Sequence, residues 1–313
     1  MSDALAPLQA ILIAGPTASG KSALALALAT AFGGAVVNAD SMQVYRDLRI
    51  LTARPSREEE AEVSHRLFGH VDAAQNYSVG RWLADFEKTL QTLSMERRVA
   101  VVAGGTGMYF KAAVQGLSDI PPVQEEIRAE VRRRAAGRTP QELHAELTAK
   151  DALTASRLRE TDPQRILRAL EVFEATGKPL ASFQGARAAS LLDAARCPAF
   201  FLAPPREELY ARIDARFDAM LAAGALEEVR LLGARRLDPA LPAMRAHGAP
   251  HLLAHLEGRM TLEDAASRGK LDTRHYAKRQ HTFARHQLQN FIWLDGGDAF
   301  DAAMRRLRGF APA

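Results

Sequence analysis

The sequence predicts an α/β protein in which helices flank a parallel sheet and a mostly helical segment is inserted. Three short runs, residues 10–14, 35–39 and 99–103, are apolar except for Asn38 and predict strands buried on both faces, as a parallel sheet requires. Helical patterns at residues 23–29 and 78–93 lie between these runs. This alternation of strand and helix signals indicates the α/β class.

The segment between the first strand and the first helix has the pattern of a phosphate-binding loop. Its spacing, G-x-x-x-x-G-K-S, lets backbone N–H groups converge on an anion at the helix N-terminus, so the predicted fold is P-loop NTPase-like. Lys21 is expected to reach phosphate oxygens, and the Ser22 hydroxyl is expected to lie where Mg²⁺ is held. A plain turn is the alternative, and the loop alone does not specify the phosphate compound or whether a phosphoryl group moves. The predicted binding residues are Gly15, Pro16, Thr17, Ala18, Ser19, Gly20, Lys21 and Ser22.

Polar and glycine-rich segments follow the other two predicted strands. Asp40 stands at the end of the second strand, and Gly104, Gly105 and Thr106 follow the third. Because ligands bind at the carboxyl ends of strands in open α/β sheets, Asp40 is expected to face the same crevice as the phosphate loop. The glycines permit close approach of backbone to a ligand, although a plain loop fits this short pattern equally well.

Composition and charge narrow the class of protein. The chain has 313 residues, 47% of them hydrophobic, and a formal net charge of +4 with a pI near 9.4, which is typical of a globular protein and only mildly favours a polyanionic partner. A single cysteine, Cys197, excludes an internal disulfide. We see neither a membrane span nor an export signal, so we expect a cytoplasmic protein. No apolar heptad predicts self-association, so we expect a monomer.

Residues 117–196 differ in character from the sequence on either side. They are helical in pattern, rich in arginine and without a convincing strand. Proline-containing segments mark both ends, and an apolar run at residues 199–203 predicts a strand that resumes the sheet. We therefore predict a catalytic core of residues 1–116 and 197–313 and a helical domain inserted at 117–196.

Basic residues recur at helical spacing in three places. Arg165 and Arg168 are three residues apart, and Arg212 and Arg216 are four apart, so each pair shares a helix face. A third stripe suits contact with a nucleic-acid backbone, although a solvated helix face is the alternative in each case. This stripe contains Arg274, Lys278, His281 and Arg285.

Six segments, in chain order and over nearly the whole chain, resemble the tRNA dimethylallyltransferase (tRNA isopentenyltransferase) family. The resemblance implies transfer of a dimethylallyl group from dimethylallyl diphosphate to the exocyclic amine of the adenine 3′-adjacent to the tRNA anticodon. Diphosphate is released, so the phosphate loop would hold an isoprenoid diphosphate and no phosphoryl group would move. The segments are GPTASGKS at 15–22, NADSMQVYRDLRILTARP at 38–55, AGGTGMYFKAAVQGLSDIP at 103–121, DPQRILRALEVFEATGKPL at 162–180, RIDARFDAML at 212–221 and TRHYAKRQHTFAR at 273–285.

The resemblance also implies roles for single residues. Asp40 matches the general base that takes a proton from the attacking amine. Arg216, with Arg212 as a second candidate, would stabilise the leaving diphosphate, and Mg²⁺ near Ser22 would neutralise the same charge. The adenine must leave the stack of the anticodon loop, and the helical insertion is expected to grip the tRNA. The matched tRNA-contact residues are Asp40, Ser41, Met42, Gln43, Thr106, Arg128, Gln164, Arg165, Ile166, Leu167 and Arg168.

Other functions fit parts of the pattern. An adenylate isopentenyltransferase uses the same donor on a free nucleotide, but it needs neither the helical insertion nor the basic stripe. A P-loop kinase fits the phosphate loop alone, and a non-catalytic RNA-binding protein fits the scaffold. Residues 246–251, Ala-His-Gly-Ala-Pro-His, depart from the family pattern of small-Val-Gly-Tyr-basic, so we assign no tRNA contact to them.

Overall fold

The computed structural model describes residues 6–185, 187–295 and 297–311. The chain divides into two compact units. The first contains Met1–Val114 and Leu191–Ala313, and the second contains Gln115–Ser190. The segment predicted as an insertion, residues 117–196, overlaps most of the second unit but extends past its end.

A sheet of parallel strands forms the centre of the first unit, so the predicted parallel α/β architecture is confirmed. Its strand order is β4-β3-β5-β2-β6-β7, and a separate parallel pair joins β1 to β8. The strands are β1 (Ala6–Pro7), β2 (Ala10–Ala14), β3 (Ala35–Asn38), β4 (His65–Arg66), β5 (Ala100–Gly104), β6 (Ala199–Leu202), β7 (Ile292–Leu294) and β8 (Phe310–Ala311). The edge strands β4 and β7 were not predicted, because runs of two or three residues are too short to show a strand pattern.

Helices account for most of the remaining chain. They are α1 (Lys21–Ala31), α2 (Arg57–Glu62), α3 (Val79–Met95), α4 (Gly107–Gln115), α5 (Glu125–Ala135), α6 (Pro140–Lys150), α7 (Ala152–Ala155), α8 (Pro163–Thr176), α9 (Arg206–Ala222), α10 (Ala225–Ala234), α11 (Ala249–Leu256), α12 (Leu262–Gln287) and α13 (Ala299–Leu307), with short 3₁₀ helices at Leu180–Phe183, Ala194–Arg196 and Ala243–Arg245. The segment that carries the basic stripe forms only the second half of α12. None of the helices in residues 6–185, 187–295 and 297–311 combines the length and the hydropathy of a membrane span.

Both faces of the sheet are buried, which explains why its central strands are continuous apolar runs. Ile13 and Val101 point to the face covered by α1 and α13, where they join one hydrophobic core. Their neighbours Leu12 and Val102 point to the opposite face and join a second core. Because successive side chains of a strand alternate between the two faces, a strand covered on both sides needs apolar residues at every position.

The second unit has its own hydrophobic core. Leu147, Ile166 and Leu170 are fully or almost fully buried in it. The Asp151 side chain, itself buried, caps α7 by accepting the Thr154 N–H at 2.9 Å. Residues 115–185 and 187–190 form helices, turns and a single isolated β-bridge, with no strand among them.

Candidate active site

The phosphate loop connects the end of β2 to the start of α1. Gly20 precedes the helix with φ 93°, a left-handed conformation that favours glycine. The Lys21 side chain is buried, and its Nζ donates to the Pro16 carbonyl at 3.2 Å. The first turn of α1 carries no acidic residue, so the positive end of the helix dipole is not neutralised by its own side chains. This loop can therefore bind an anion through backbone N–H groups, the helix N-terminus and one ammonium group.

The surroundings of Lys21 disfavour its charge. Burial lowers the pKa of Lys21 to about 8, and the positive Arg216 acts in the same direction, while the Asp40 carboxylate opposes both. A buried ammonium group without a full counter-charge is costly. An anion at the loop would supply that counter-charge.

Asp40 lies directly beyond the carboxyl end of β3, where backbone and side-chain hydrogen bonds fix it. Its N–H donates to Asn38 Oδ1 at 2.8 Å, and Asn38 Nδ2 donates back to the Asp40 carbonyl at 3.0 Å. Its own Oδ1 accepts the Met42 N–H at 2.9 Å. Asn38 is fully buried, so it anchors this turn to the sheet. The carboxylate is thereby held in one orientation.

The glycine-rich loop after β5 packs against the Asp40 turn. A Cβ atom at Gly104 would lie 2.1 Å from the Ala39 carbonyl, so only glycine permits this approach of the two backbones. Thr106 N–H donates to the Ala39 carbonyl at 3.1 Å, and the Ser41 N–H donates to Thr106 Oγ1 at 2.9 Å. Thr106 of this loop thus bonds to the residues immediately before and after Asp40 and holds the turn in place.

A cleft brings together the phosphate loop, the Asp40 turn and three distant segments. Part of its wall is apolar and part carries charge. It is lined by Thr17, Asp40, Met42, Leu51, Thr52, Ile213, Arg216, Phe217, Met220, Ala246, His247, Thr273 and Tyr276. Four predicted site residues therefore line this one cleft: Thr17, Asp40, Met42 and Arg216.

Arg216 also lines a second cleft. Lys21 and Ser22 of the phosphate loop line it, together with Gln43 from the Asp40 turn. The Gln43 side chain is held by the Thr52 and Ala53 carbonyls, each 2.9 Å from its Nε2. The remaining lining residues are Leu26, Val36, Ala53, Arg54, Pro55, Glu59, His65, Phe68, Ala103 and Arg216.

Arg216 lines both clefts, whereas Arg212, its neighbour on the same face of α9, lines neither. Burial lowers the pKa of Arg216, and the Asp40 and Glu59 carboxylates oppose that effect. Arg212, one turn earlier in α9, is half-exposed and pairs with Glu208 at 3.1 Å. Of the two arginines that the sequence offered, only Arg216 lines the clefts.

Ser22 can contribute one oxygen to a Mg²⁺ site, but the residues that the structure describes do not provide a complete set of protein ligands there. Ser22 is exposed and lines the second cleft. In the part of the chain that the structure describes, no group of three or more His, Cys, Asp and Glu side chains is placed to hold a metal ion. A single protein oxygen completed by phosphate oxygens and water is an arrangement that Mg²⁺ uses, so Ser22 fits a metal that arrives with a diphosphate.

His247 and Tyr276 of the first cleft and the nearby Gln280, which does not line it, were not identified as site residues from the sequence. His247 and Tyr276 form a ring pair with centroids 4.4 Å apart. Burial, assisted by the positive Arg279, lowers the pKa of His247. Gln280 is 7% exposed and joins the phosphate loop to the glycine-rich loop by two hydrogen bonds. The only sequence feature that drew attention to His247 was the departure of residues 246–251 from the family pattern. The spacing of the basic stripe gave no indication that Gln280 belongs to the site.

The residues matched to tRNA contact in the second unit differ in exposure. Gln164 is exposed, and the Arg165 side chain is 75% exposed with Asp162 3.4 Å away. Ile166 is completely buried in the core of this unit, so its side chain is structural and cannot contact RNA directly. Leu167 is partly buried against the same core.

Arg128 and Arg168 have a structural partner within the second unit. Both approach the buried Glu171 carboxylate, at 3.7 and 3.8 Å, and Arg132 lies 3.1 Å from it. A carboxylate buried without positive neighbours would destabilise the fold. Part of the function of these arginines is therefore to neutralise Glu171.

The basic stripe on α12 is only partly free to bind a partner. Arg274 pairs with Asp214, with Nε 2.9 Å from Oδ1. The His281 ring contacts Trp293 edge to face, with centroids 5.0 Å apart. Lys278 and Arg285 are exposed.

Comparison with known proteins identifies the family. The model of the IPP transferase family matches residues 43–287, and that of the isopentenyl transferase family matches residues 8–72. A protein from Methylocella silvestris named tRNA dimethylallyltransferase is 59% identical over 296 residues, which is 95% of this chain and 98% of the relative. A protein of the same name from Beijerinckia indica is 61% identical over 284 residues, which is 91% of this chain and 94% of the relative.

Solved structures agree with this assignment. A eukaryotic dimethylallyltransferase that acts on tRNA superimposes with a TM-score of 0.79 at 27% identity and covers 95% of this chain and 77% of its own. A tRNA isopentenylpyrophosphate transferase from Bacillus halodurans gives a TM-score of 0.66 at 31% identity, with 95% and 93% coverage. The predicted P-loop NTPase-like fold and family resemblance are thereby confirmed. The chain belongs to the tRNA dimethylallyltransferase family.

Proposed function

We propose that this protein transfers a dimethylallyl group from dimethylallyl diphosphate to the exocyclic amine of the adenine 3′-adjacent to the tRNA anticodon, with release of diphosphate. The observation that carries the proposal is that Thr17 of the phosphate loop, Asp40 and Arg216 line the same cleft. A substitution with an anionic leaving group and an amine nucleophile needs positive donors on one side and a proton acceptor on the other. The lining of this cleft offers both.

The phosphate loop and Arg216 are proposed to bind the diphosphate. Backbone N–H groups at the start of α1 and the Lys21 ammonium group suit its oxygens. The developing charge on the leaving oxygen would be stabilised by the Arg216 guanidinium. The apolar part of the cleft suits the five-carbon group and contains Leu51, Ile213, Phe217 and Met220.

Asp40 is proposed as the general base. The bond between the amine nitrogen and C1 of the dimethylallyl group forms while the bond from C1 to the diphosphate oxygen breaks, and the amine releases one proton. Asp40 Oδ1 already accepts the Met42 N–H, so Oδ2 is the proposed proton acceptor. An aromatic amine is a weak nucleophile, so much of the rate must come from holding it close to C1.

Ser22 is proposed to contribute the protein oxygen to Mg²⁺. When bound, the ion neutralises charge on the diphosphate and makes it a better leaving group. Lys21 and Arg216 act on the same oxygens from the protein side. Dimethylallyl diphosphate and Mg²⁺ are thus proposed to bind together.

The second unit is proposed to bind the anticodon stem-loop. Gln164 and Arg165 are its exposed candidates, and Arg128 and Arg168 would add positive charge beyond what Glu171 neutralises. Ser41, Met42, Gln43 and Thr106 remain proposed contacts near the target base. The monomeric state and the cytoplasmic location remain predictions from the sequence.

The proposed activity is tested by following the label from radiolabelled dimethylallyl diphosphate in the presence of Mg²⁺. We expect label in an anticodon stem-loop with adenine at the target position and none in AMP. Label in AMP alone would instead identify an adenylate isopentenyltransferase. Phosphorylation of a small acceptor by ATP would identify a kinase, and RNA binding without any transfer would identify a non-catalytic protein.

The general-base role is tested with Asp40→Asn. The amide keeps an oxygen for the Met42 N–H but is not basic, so we expect single-turnover transfer to fall about 10²-fold or more while the RNA dissociation constant stays unchanged. Asp301→Asn, which alters an exposed carboxylate on α13, is the control. Transfer by Asp40→Asn at the wild-type rate would refute the assignment.

A further inference from the structure

We propose that Gln280 is a positioning residue that fixes the spacing between the phosphate loop and Asp40. The inference rests on the proposed function, because it concerns the distance between the leaving group and the base. It goes beyond that function in assigning a role to a side chain outside the cleft wall.

Gln280 connects two loops that are remote in the sequence. Its Oε1 accepts the Thr17 N–H at 3.1 Å, and its Nε2 donates to the Gly105 carbonyl at 2.8 Å. The side chain is 7% exposed, so water does not readily replace either partner. A single primary amide therefore satisfies a donor on the phosphate loop and an acceptor on the glycine-rich loop.

The connection continues from the glycine-rich loop to the candidate base. Thr106, which follows Gly105, bonds to the backbone on both sides of Asp40: its N–H donates to the Ala39 carbonyl and its Oγ1 accepts the Ser41 N–H. Phosphate loop and base are thus joined through Gln280 by hydrogen bonds of 2.8–3.1 Å and the peptide linkages between them. A change at Gln280 would alter the separation of the two sites without removing a contact to either substrate.

Only an amide of this length meets the requirements of the site. Glutamate would keep an acceptor for the Thr17 N–H but would place a carboxylate oxygen against the Gly105 carbonyl. Asparagine keeps both functions but is one methylene shorter, so it cannot span the two partners at once. Alanine removes both bonds and leaves the Thr17 N–H and the Gly105 carbonyl without partners.

The expected effect lies in turnover and not in substrate binding. Displacement of reacting groups by about 1 Å can cost about 10²-fold in rate, while each binding site remains intact. We expect Gln280→Ala to lower kcat at least about ten-fold and to change the KM values for donor and RNA by less than about three-fold. Gln280→Glu and Gln280→Asn should show the same division between kcat and KM.

Gln287→Ala is the matched control. It removes the same type of side chain from the same helix, two turns further on, where it is exposed and accepts from Lys111. We expect wild-type kcat for this variant. Binding of diphosphate and of the stem-loop, measured by calorimetry, should be unchanged within about three-fold in all of these variants, which provides a readout that does not depend on catalysis.

Gly105→Ala tests the same connection from its other end. A Cβ atom at Gly105 would lie 2.1 Å from Gln280 Nε2 and 3.1 Å from Asp40 Oδ2, so it would displace the amide. Since both substitutions break one connection, the double variant should lose much less activity than the product of the two single losses. Losses that multiply would show that the two positions act independently.

The outcomes separate this inference from the proposed function. If the wild-type protein does not modify the stem-loop, the proposed function fails. If the wild-type protein is active and Gln280→Ala keeps its kcat, or loses kcat only together with binding and melting temperature, the positioning role is refuted. A selective loss of kcat in Gln280→Ala and Gln280→Glu, with normal melting temperatures, supports it.

Discussion

The burial of Lys21 predicts how the unfolding free energy depends on pH, and this can be measured without any assay of activity. Its pKa is about 8 in the folded protein, against 10.5 for an ordinary lysine. At 1.36 kcal/mol per pKa unit, this difference corresponds to about 3 kcal/mol of unfolding free energy. Below pH 8 the folded protein must keep a buried charge, so the full cost is present there. Between pH 8 and 10.5 the folded protein has released a proton that the unfolded chain still binds, so stability rises with pH in this range.

Replacement by an uncharged side chain of similar length removes this cost. We expect Lys21→Met to be more stable than the wild type by about 2–3 kcal/mol at pH 7 without ligand, after allowing for the lost bond to the Pro16 carbonyl. The difference should shrink steadily from pH 8 towards pH 10. Saturating diphosphate should reverse the order, because only the wild type retains the ammonium group for the anion.

Urea unfolding at pH 7, 8, 9 and 10 measures the difference between the two proteins. Lys88→Met, which replaces an exposed lysine on α3, controls for the loss of one positive charge. Because every other titrating group is common to both proteins, its contribution cancels in the difference. A difference that stays constant from pH 7 to 10 would refute the assignment of a depressed pKa to Lys21.

Two further predictions concern the second unit. Glu171→Ala should lower the unfolding free energy by about 2 kcal/mol, because it leaves three arginines without their buried counter-charge, although these keep part of their hydration. In the control Glu174→Ala, which removes a more exposed carboxylate, we expect a loss of about 0.5 kcal/mol or less by the same urea titration. Arg165→Ala should reduce the slope of log K against log salt for stem-loop binding by about 0.7–1, as loss of one phosphate contact predicts. Arg133→Ala removes an arginine of nearly equal exposure, 74% against 75%, and equal slopes in the two variants would exclude a specific RNA contact by Arg165.

Local patterns in the sequence predicted the features that depend on a few neighbouring residues: the phosphate loop, the buried strands and the position of Asp40 at a strand end. The phosphate loop has fixed spacing because glycines, lysine and serine must occupy set positions around an anion, and its helix begins at Lys21 directly after Gly20. The continuous apolar strands revealed a sheet covered on both faces. The position of Asp40 at a strand end followed from the same pattern.

Local sequence patterns did not predict which side chains of the matched tRNA-contact segment, residues 164–168, are exposed. Arg165 and Ile166 are adjacent, yet one is exposed and the other is in the core, because the packing of α8 decides which face of the helix is buried. Likewise Arg212 and Arg216 share a helix face by spacing, but only Arg216 reaches the clefts.

The sequence alone determined the α/β class, the anion-binding loop, the candidate base and the family. Tertiary structure decided which distant residues complete the site: His247 and Tyr276 meet at the cleft, and Gln280 joins loops that precede it by 263 and 175 residues. The physical reason is that helical periodicity predicts only which residues share a face of a helix. These contacts depend in addition on how α12 packs against the ends of β2 and β5. That placement results from packing of the whole unit, and no short segment encodes it.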